Sequence, residues 1–530
     1  MRETLAGTGD LVRLGLRRDR WLLSLWILAF AMMTWSSASA GAGLFPDKAS
    51  RVEAANTINA AASMVALFGR VYDPTSLGSL SMIKYTAFMT AAVAVLMVFV
   101  TIRHTRADEE SGRLELLGGG RLGRNAPLTA ALVISFGASL LLGLLSGAAL
   151  AATGLPAAGS LAFGLGWAAT GMAFSAVAAV SAQLSTSARA ANGMGVIVIA
   201  ITYTLRAVGD LAEPGPSALS WLSPIGWNQQ IRAFAGDHWW VLVLPLALCV
   251  ALVPVTFVLR ARRDLGGGLR QERSGPAQGA LAGVWDLAVR LQDRMLVVWA
   301  VSAVVFGVVM GSLASSVTDF MTSPNAQDLI KKLGGAQALT DAFMAAEIAI
   351  MGISVAAYGV SAANHLRSEE TAGHTEALLG TATTRTRWVT SHYAAALAGV
   401  AVLMLLTGLS TGAGAAFALH DPSQVGRVTV AALAQIPAAW VITSAALTVF
   451  GWVPRLTTAV WGLLAVFIAL GEFGVLWNAP QWLMDLSPFQ HTPLLPVGSD
   501  GIGALAALTA TAATLAALGY LGWSRRDLTV

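Results

Sequence analysis

The chain has 530 residues, 55% of them apolar and 12% charged, with a mean hydropathy of +0.66; soluble domains carry roughly 25% charged residues, so a soluble globular protein is excluded. The lone cysteine, Cys249, rules out intrachain disulfides and thiolate metal clusters. The formal net charge of +4 has meaning only through where the basic residues fall relative to a bilayer.

A hydrocarbon core about 30 Å thick is crossed by about 20 consecutive apolar residues in a helix. Twelve runs approach or reach that length: 21–40, 84–103, 129–151, 160–182, 193–210, 239–259, 295–316, 342–363, 389–416, 428–449, 457–473 and 502–523. Each run is continuous rather than alternating, which excludes β-barrel strands and leaves helices, whose backbone groups are satisfied within the segment. The predicted fold class is an all-α polytopic membrane protein with twelve transmembrane helices. With a cytoplasmic N-terminus, the inner segments hold 24 of the 33 basic residues. That asymmetry predicts a multi-pass protein of the cell membrane with both termini in the cytoplasm. The basic start up to Arg20, followed by an apolar stretch and Ala38-Ser39-Ala40, has the shape of a cleavable signal; a similarly placed span beginning at Met295 cannot be cleaved and argues for a retained span.

The chain also repeats itself. Residues 104–124, HTRADEESGRLELLGGGRLGR, align without gaps on residues 365–385, HLRSEETAGHTEALLGTATTR, with identity at His104/His365, Arg106/Arg367, Glu109/Glu370, Gly112/Gly373, Glu115/Glu376, Leu117/Leu378, Gly119/Gly380 and Arg124/Arg385. Leu222-Ser223-Pro224 recurs as Leu486-Ser487-Pro488, and Arg262-Arg263-Asp264-Leu265 as Arg525-Arg526-Asp527-Leu528, at nearly the same offset. Both copies of the charged motif follow the second run of their half. The expectation is therefore two parallel six-helix repeats, 1–265 and 281–530, related by a pseudo-two-fold along the membrane normal. A Gly-rich cytoplasmic linker over 266–280 separates them. Leu281, Val284, Trp285, Ala288 and Leu291 share one helical face, and the segment through Leu11, Leu14, Arg17, Arg18 and Arg20 has a weaker version of the pattern. These predict interfacial elbow helices leading into the first span of each half.

No phosphate-cradling loop is present: none of the four lysines follows a glycine, so the chain has no Gly-Lys-Ser/Thr element for ATP. No nucleophilic triad, HExxH or paired-histidine motif appears, and His365 and His374 are not one helical turn apart. The chain is expected to be a transport subunit without catalytic residues, metal or cofactor of its own. The duplicated loops carry its matched charges: Arg106, Glu109, Glu110, Gly112, Arg113 and Glu115 in one copy, Arg367, Glu369, Glu370, Gly373, His374 and Glu376 in the other. The bland reading is a solvated, positive-inside loop. Two matched short helices also suit docking onto a two-fold soluble partner, because symmetry makes each half present the same patch.

The segments Arg103 to Leu116, Ser223-Pro224-Ile225-Gly226-Trp227-Asn228-Gln229-Gln230 with Arg232-Ala233-Phe234, and Arg262 to Gly266 resemble the permease subunits of type-2 ABC exporters. In particular the chain resembles fused twelve-span actinobacterial permeases assigned to export of polyketide antibiotics, and the likeness extends over essentially the whole chain. The resemblance implies a coupling helix between the second and third spans of each half, by position 104–117 and 365–378. Each would seat in one of two copies of a separate P-loop ATP-binding subunit, where ATP and Mg would be held. It also implies an apolar or amphipathic, polyketide-like substrate, and no nucleic acid. The second copy departs at Thr371 and His374, and Ser487-Pro488-Phe489-Gln490 lacks the Gly-Trp-x-Gln-Gln continuation.

Ionisable residues inside the bilayer are costly and mark candidates for a route. Glu347 falls within the eighth run; Arg206, Asp210 and Glu472 fall near the outer ends of the fifth and eleventh, where they are equally suited to anchoring or gating. Gln435-Ile436-Pro437 predicts a kink in the tenth run, 47–66 an extracellular helix, and 214–234 a loop with a re-entrant or surface helix. The rival class is a self-contained, proton-coupled twelve-span transporter of the major-facilitator type, which would be expected to carry a Gly-x-x-x-Asp-Arg loop and several buried acids.

Overall fold

The computed structural model describes residues 3–60, 62–118, 122–212, 217–263, 267–268, 283–314, 336–473, 480–493, 495–496 and 501–527. The described residues are helical and contain no strand. They fall into two compact units, Met1–Gly275 and Pro276–Val530. Most of the expected 266–280 linker lies outside the described residues.

In the first unit the long helices are α1 (Thr8–Leu44), α4 (Phe88–Arg103), α7 (Ala126–Ala152), α8 (Ala157–Leu184), α9 (Ala188–Ala212) and α11 (Val243–Ala261). Between them lie the shorter α2 (Lys48–Ala60), α3 (Ala62–Phe68), α5 (Arg106–Glu110), α6 (Arg113–Gly118) and α10 (Pro224–Gln230). Helix α1 packs on α7, α7 on α8, α8 on α4 and α11, and α4 on α9. The α7–α8 contact is a close backbone approach. A Cβ on Gly143 would sit 2.2 Å from the Gly164 carbonyl oxygen, and one on Gly164 would sit 2.2 Å from that of Gly143. Small residues supply this packing because lipid and side chains are equally apolar and only close contact drives helices together.

The second unit has α12 (Val284–Ser312), α13 (Ala336–Thr371), α14 (His374–Leu379), α15 (Arg385–Leu419), α16 (Ser423–Leu433), α17 (Ile436–Trp452), α18 (Ala459–Phe473) and α19 (Ile502–Arg525). Here α12 packs on α15, α15 on α16, α17 on α13 and α19, and α13 on α18. With α16 and α17 counted as one broken span, the order of neighbours repeats that of the first unit.

Eleven helical segments among the described residues are long and apolar enough to cross a membrane. The run expected at 457–473 forms α18, whose 15 residues extend only about 22 Å; residues 474–479 beyond it lie outside the described set. The elbow segments are not separate helices. Each runs unbroken into its span over the described residues, giving 37 residues in α1 and 29 in α12, because no proline or capping turn intervenes; Leu281 lies outside the described set. The expected kink is a complete break. Pro437, lacking an N–H, stands at the start of α17, and Leu433 ends α16. The 47–66 helix is present as α2 and α3, and the 214–234 segment contains α10, whose Pro224, Gly226, Asn228, Gln229 and Gln230 are buried; residues 213–216 lie outside the described set.

Candidate functional site

The duplicated motif folds around a carboxylate in each unit. In the first unit, Glu109 lies one turn after Arg106 on α5, with Arg106 Nη1 3.2 Å from its Oε2. Arg263, just beyond the end of α11, closes on the same carboxylate in bidentate fashion: Nη1 donates to Oε1 at 2.7 Å and Nη2 to Oε2 at 2.8 Å. The fork geometry of guanidinium against carboxylate gives the strong, directional form of this contact. All three side chains are buried, Arg106 almost completely.

The remaining donors are spent on backbone and amide oxygens. Arg106 donates to the Ala182 carbonyl through Nε at 3.1 Å and Nη2 at 2.8 Å, and to the Gly267 carbonyl at 3.0 Å. Arg263 Nε donates to Gln183 Oε1 at 2.8 Å. The neighbouring Glu110 accepts from the Ala188 N–H at 2.8 Å, a carboxylate at the first turn of α9, where the helix dipole favours negative charge. The loop therefore ties together the ends of α4, α8, α9 and α11.

The second unit rebuilds the cluster. Arg367 Nη1 lies 3.3 Å from Glu370 Oε2, and Arg526, just past the end of α19, lies 3.0 Å from Glu370 Oε1. The Arg526 guanidinium also sits over the Phe450 and Trp523 rings, 5.0 Å from each centroid. The turn that follows is the same in both copies. Gly112 and Gly373 have φ of +70° and +75°, a left-handed conformation that glycine adopts at little cost. Their N–H groups donate to the Glu109 and Glu370 carbonyls, at 3.1 and 3.0 Å.

The copies differ just upstream. Helix α4 ends at Arg103 and restarts as α5, whereas α13 runs through the equivalent positions to Thr371. Thr105 turns its hydroxyl back to the Thr101 carbonyl at 2.7 Å, and Arg103 and His104 are drawn to the buried Asp19 of α1, at 2.9 and 3.0 Å. The counterpart of Thr105 is Leu366, which instead packs with Trp388, Phe450 and Trp523.

The predicted docking residues thus separate into two groups. Arg106, Glu109 and Glu370 are inside, and Gly112, Arg367 and Glu369 are half-buried between the groups. Glu110, Arg113, Glu115, Gly373, His374 and Glu376 are exposed, with Arg113 3.3 Å from Asp108 and His374 3.1 Å from Glu369. Leu116, beside Glu115, is 84% exposed. Arg263, Arg526 and Asp19 were not among the predicted site residues; the repeated Arg-Arg-Asp-Leu was the signal for the first two.

The candidate route residues stand apart from these clusters. Arg206 is fully buried, its Nη1 3.4 Å from Asp210 Oδ2, and it donates to the Ala66 and Leu67 carbonyls. Ser220 donates to Asp210 Oδ1 at 2.7 Å, and Arg70 Nε donates to the Asp210 carbonyl at 3.3 Å. The Ser-Pro-x-Gly-Trp-x-Gln-Gln element locks this end. Ser223 caps the Gly226 N–H at 3.1 Å, Asn228 donates to the Thr86 carbonyl at 2.8 Å, and Gln230 donates to the Tyr72 hydroxyl at 2.7 Å. Burial pushes the Tyr72 phenol above its ordinary value, against the Gln230 hydrogen bond, which lowers it. Glu347 is buried on α13, and its Oε1 has no hydrogen-bond partner among the described residues. Glu472 is on α18, and its side chain lies outside the described residues. No group of three metal-ligating side chains occurs among the described residues.

Comparison with known proteins decides the class. The chain is 42% identical over 497 residues to the multidrug efflux system permease protein Rv1217c of Mycobacterium tuberculosis (strain ATCC 25618 / H37Rv), covering 92% of this chain and 89% of that one. It belongs to the Rv1217c family of multidrug efflux permeases. The C-terminal domain of that permease, as a family, matches residues 281–524, which hold α12 to α18, all but the last residue of α19, and Arg367 and Glu370 of the second cluster, with Arg526 just beyond. A permease of an efflux system is a transport component, and the long apolar helices among the described residues suit a multi-pass membrane protein.

Proposed function

We propose that this efflux permease is the membrane domain of an ATP-driven ABC pump. Two six-helix halves would be related by a pseudo-two-fold along the membrane normal, with both termini cytoplasmic. Two copies of a separate P-loop subunit, which hold ATP and Mg, dock on the duplicated loops. The observation that carries this reading is the recurrence under each loop of one Arg–Glu–Arg cluster around a buried carboxylate. A solvated loop has no need of it, whereas a loop that receives a push must be fastened to the spans it moves. In this scheme the exposed Arg113, Glu115, Leu116, His374 and Glu376 form the contact surface, and Arg106–Glu109–Arg263 and Arg367–Glu370–Arg526 pass the displacement to the ends of α11 and α19. The cargo is an apolar or amphipathic compound, for which polyketide-like drugs are the family's example.

The test is purification of the tagged chain in mild detergent from its own membrane, with mass spectrometry of what accompanies it. A stoichiometric P-loop protein that is lost on Arg113→Glu with His374→Glu, while the permease still elutes as a single sharp species, supports docking. A solitary chain that transports in vesicles energised by a proton gradient overturns it in favour of the proton-coupled class, for which the unpartnered Glu347 carboxylate oxygen is the supporting observation.

A further inference from the structure

A cavity of about 460 Å³ opens at the N-terminal end of α1, between that helix, the charged loop and the start of α7. Its walls are of two kinds. Leu11 and Leu14 of α1 face Pro127, Ala130 and Ile134 of α7 across an apolar floor, while Arg17, Arg18 and Arg113 stand with Asp108 around it. Asp108 accepts from Arg18 at 2.7 Å and lies 3.3 Å from Arg113, so one carboxylate is shared between two guanidiniums. Arg17 is exposed and makes no ion pair among the described residues. His104 adds no positive charge at this wall: its Nδ1 accepts from Arg18 Nη2 at 3.1 Å, and its Nε2 faces Asp19. Asp19 itself, behind the wall, is matched by Arg103. The lining thus carries two positive charges in excess.

The apolar side does not end at the cavity. Along α1, Leu14, Trp21, Leu25 and Leu28 follow one another at helical spacing, and Trp21 and Leu25 are 77% and 68% exposed. This is a lipid-facing stripe in a helix long enough to span the bilayer. A ligand that fits must place an anion among arginines at the membrane–water boundary and lay a hydrocarbon chain along that stripe. A soluble anion leaves the apolar walls wet, and a neutral amphiphile leaves the arginines without a partner.

We propose that this cavity is a binding site for an anionic phospholipid, its phosphate held by Arg17 and Arg113 and one acyl chain lying over Leu14 toward Trp21. Basic pockets at the charged face of a membrane protein hold such headgroups by the same combination of charge and apolar contact. The site shares Arg113 with the docking surface proposed above, so lipid binding is read on the chain alone, without a partner subunit.

Native mass spectrometry of the full chain in detergent, titrated with phosphatidylglycerol or phosphatidylcholine of matched chains, tests it. Phosphatidylglycerol adducts are expected to dominate, to survive added inorganic phosphate, and to weaken about five-fold for each of Arg17→Ala and Arg113→Ala, the equivalent of ~1 kcal/mol per arginine. Arg455→Ala, an exposed basic residue outside this cavity, is expected to leave them unchanged. Equal binding of the two lipids, displacement by free phosphate, or an equal loss with Arg455→Ala overturns the proposal. Arg17 is solvent-facing and contributes to no core, and a variant that folds poorly is recognised by its elution profile. The separate variant Leu14→Glu then supplies a second reading, since a charge in the acyl path must lower phosphatidylglycerol adducts without altering the arginines.

Discussion

Replacing Glu109 by Gln keeps the shape of the side chain and removes one charge from a site where it serves two buried guanidiniums. The Arg263 and Glu109 side chains are 8% and 6% exposed, so water can replace little of what is lost. Removing one partner of a buried, hydrogen-bonded ion pair costs about 3–5 kcal/mol, mostly because the other charge stays buried without its counter-ion. Arg263→Gln should cost less, since Glu109 keeps Arg106. The double variant should fall short of the sum of the singles by at least ~1 kcal/mol, because both singles break the same contact. At about 2–4 °C per kcal/mol for a large domain, the Glu109→Gln chain in detergent is expected to melt roughly 6–20 °C lower by tryptophan emission. The equivalent Glu370→Gln should lose less, because Arg526 retains its contacts with the Phe450 and Trp523 rings. A Glu109→Gln melting temperature within about 2 °C of the parent, or additive single variants, would refute a tightly held carboxylate.

Gly112→Ala and Gly373→Ala meet no atom within 4 Å, so their cost is the left-handed backbone alone, about 1–2 kcal/mol. Asn at either position should restore most of it, as read by melting temperature. Gly143→Ala places a methyl group 2.2 Å from the Gly164 carbonyl and should destabilise by about 1–3 kcal/mol through overpacking, visible as broadened size-exclusion profiles. Asp210→Ala strips a partner from buried Arg206 and from the Ser220 hydroxyl. Proteolysis between α2 and α4 is expected to accelerate in that variant, and an unchanged digestion pattern would show that the carboxylate does not hold this end.

Long apolar runs made the helices legible, because only a helix satisfies its own backbone in lipid. The strict offset between copies exposed the motif, and the three-residue spacing of Arg106 to Glu109 was sufficient to pair them on one helical face. The third member was hidden: Arg263 is 154 residues from Glu109 in sequence, and only the packing of α11 against α8 brings it there. Asp19 looked like one acid in a basic amphipathic stretch, and nothing local distinguishes it from Asp10. Its burial follows from Gly15, whose missing side chain admits Ile134 and His104 close to α1. The Gln435–Pro437 kink was visible from proline chemistry, but not that the chain would turn at Ala434 and Gln435, whose N–H groups donate locally to the Val430 and Ala432 carbonyls.

The uninterrupted course of α13 has a mechanical consequence. Its 36 residues form a rod about 54 Å long that carries the Glu370 cluster at one end and Glu347 along its length, so a displacement of the cluster, if the loops are driven as proposed, would reach that acid without loss in a joint. In the first unit the same displacement meets the joint at His104–Thr105, with Asp19 as its pin. Under the docking scheme proposed above, one copy of the motif would push a stiff lever, and the other would turn a hinge.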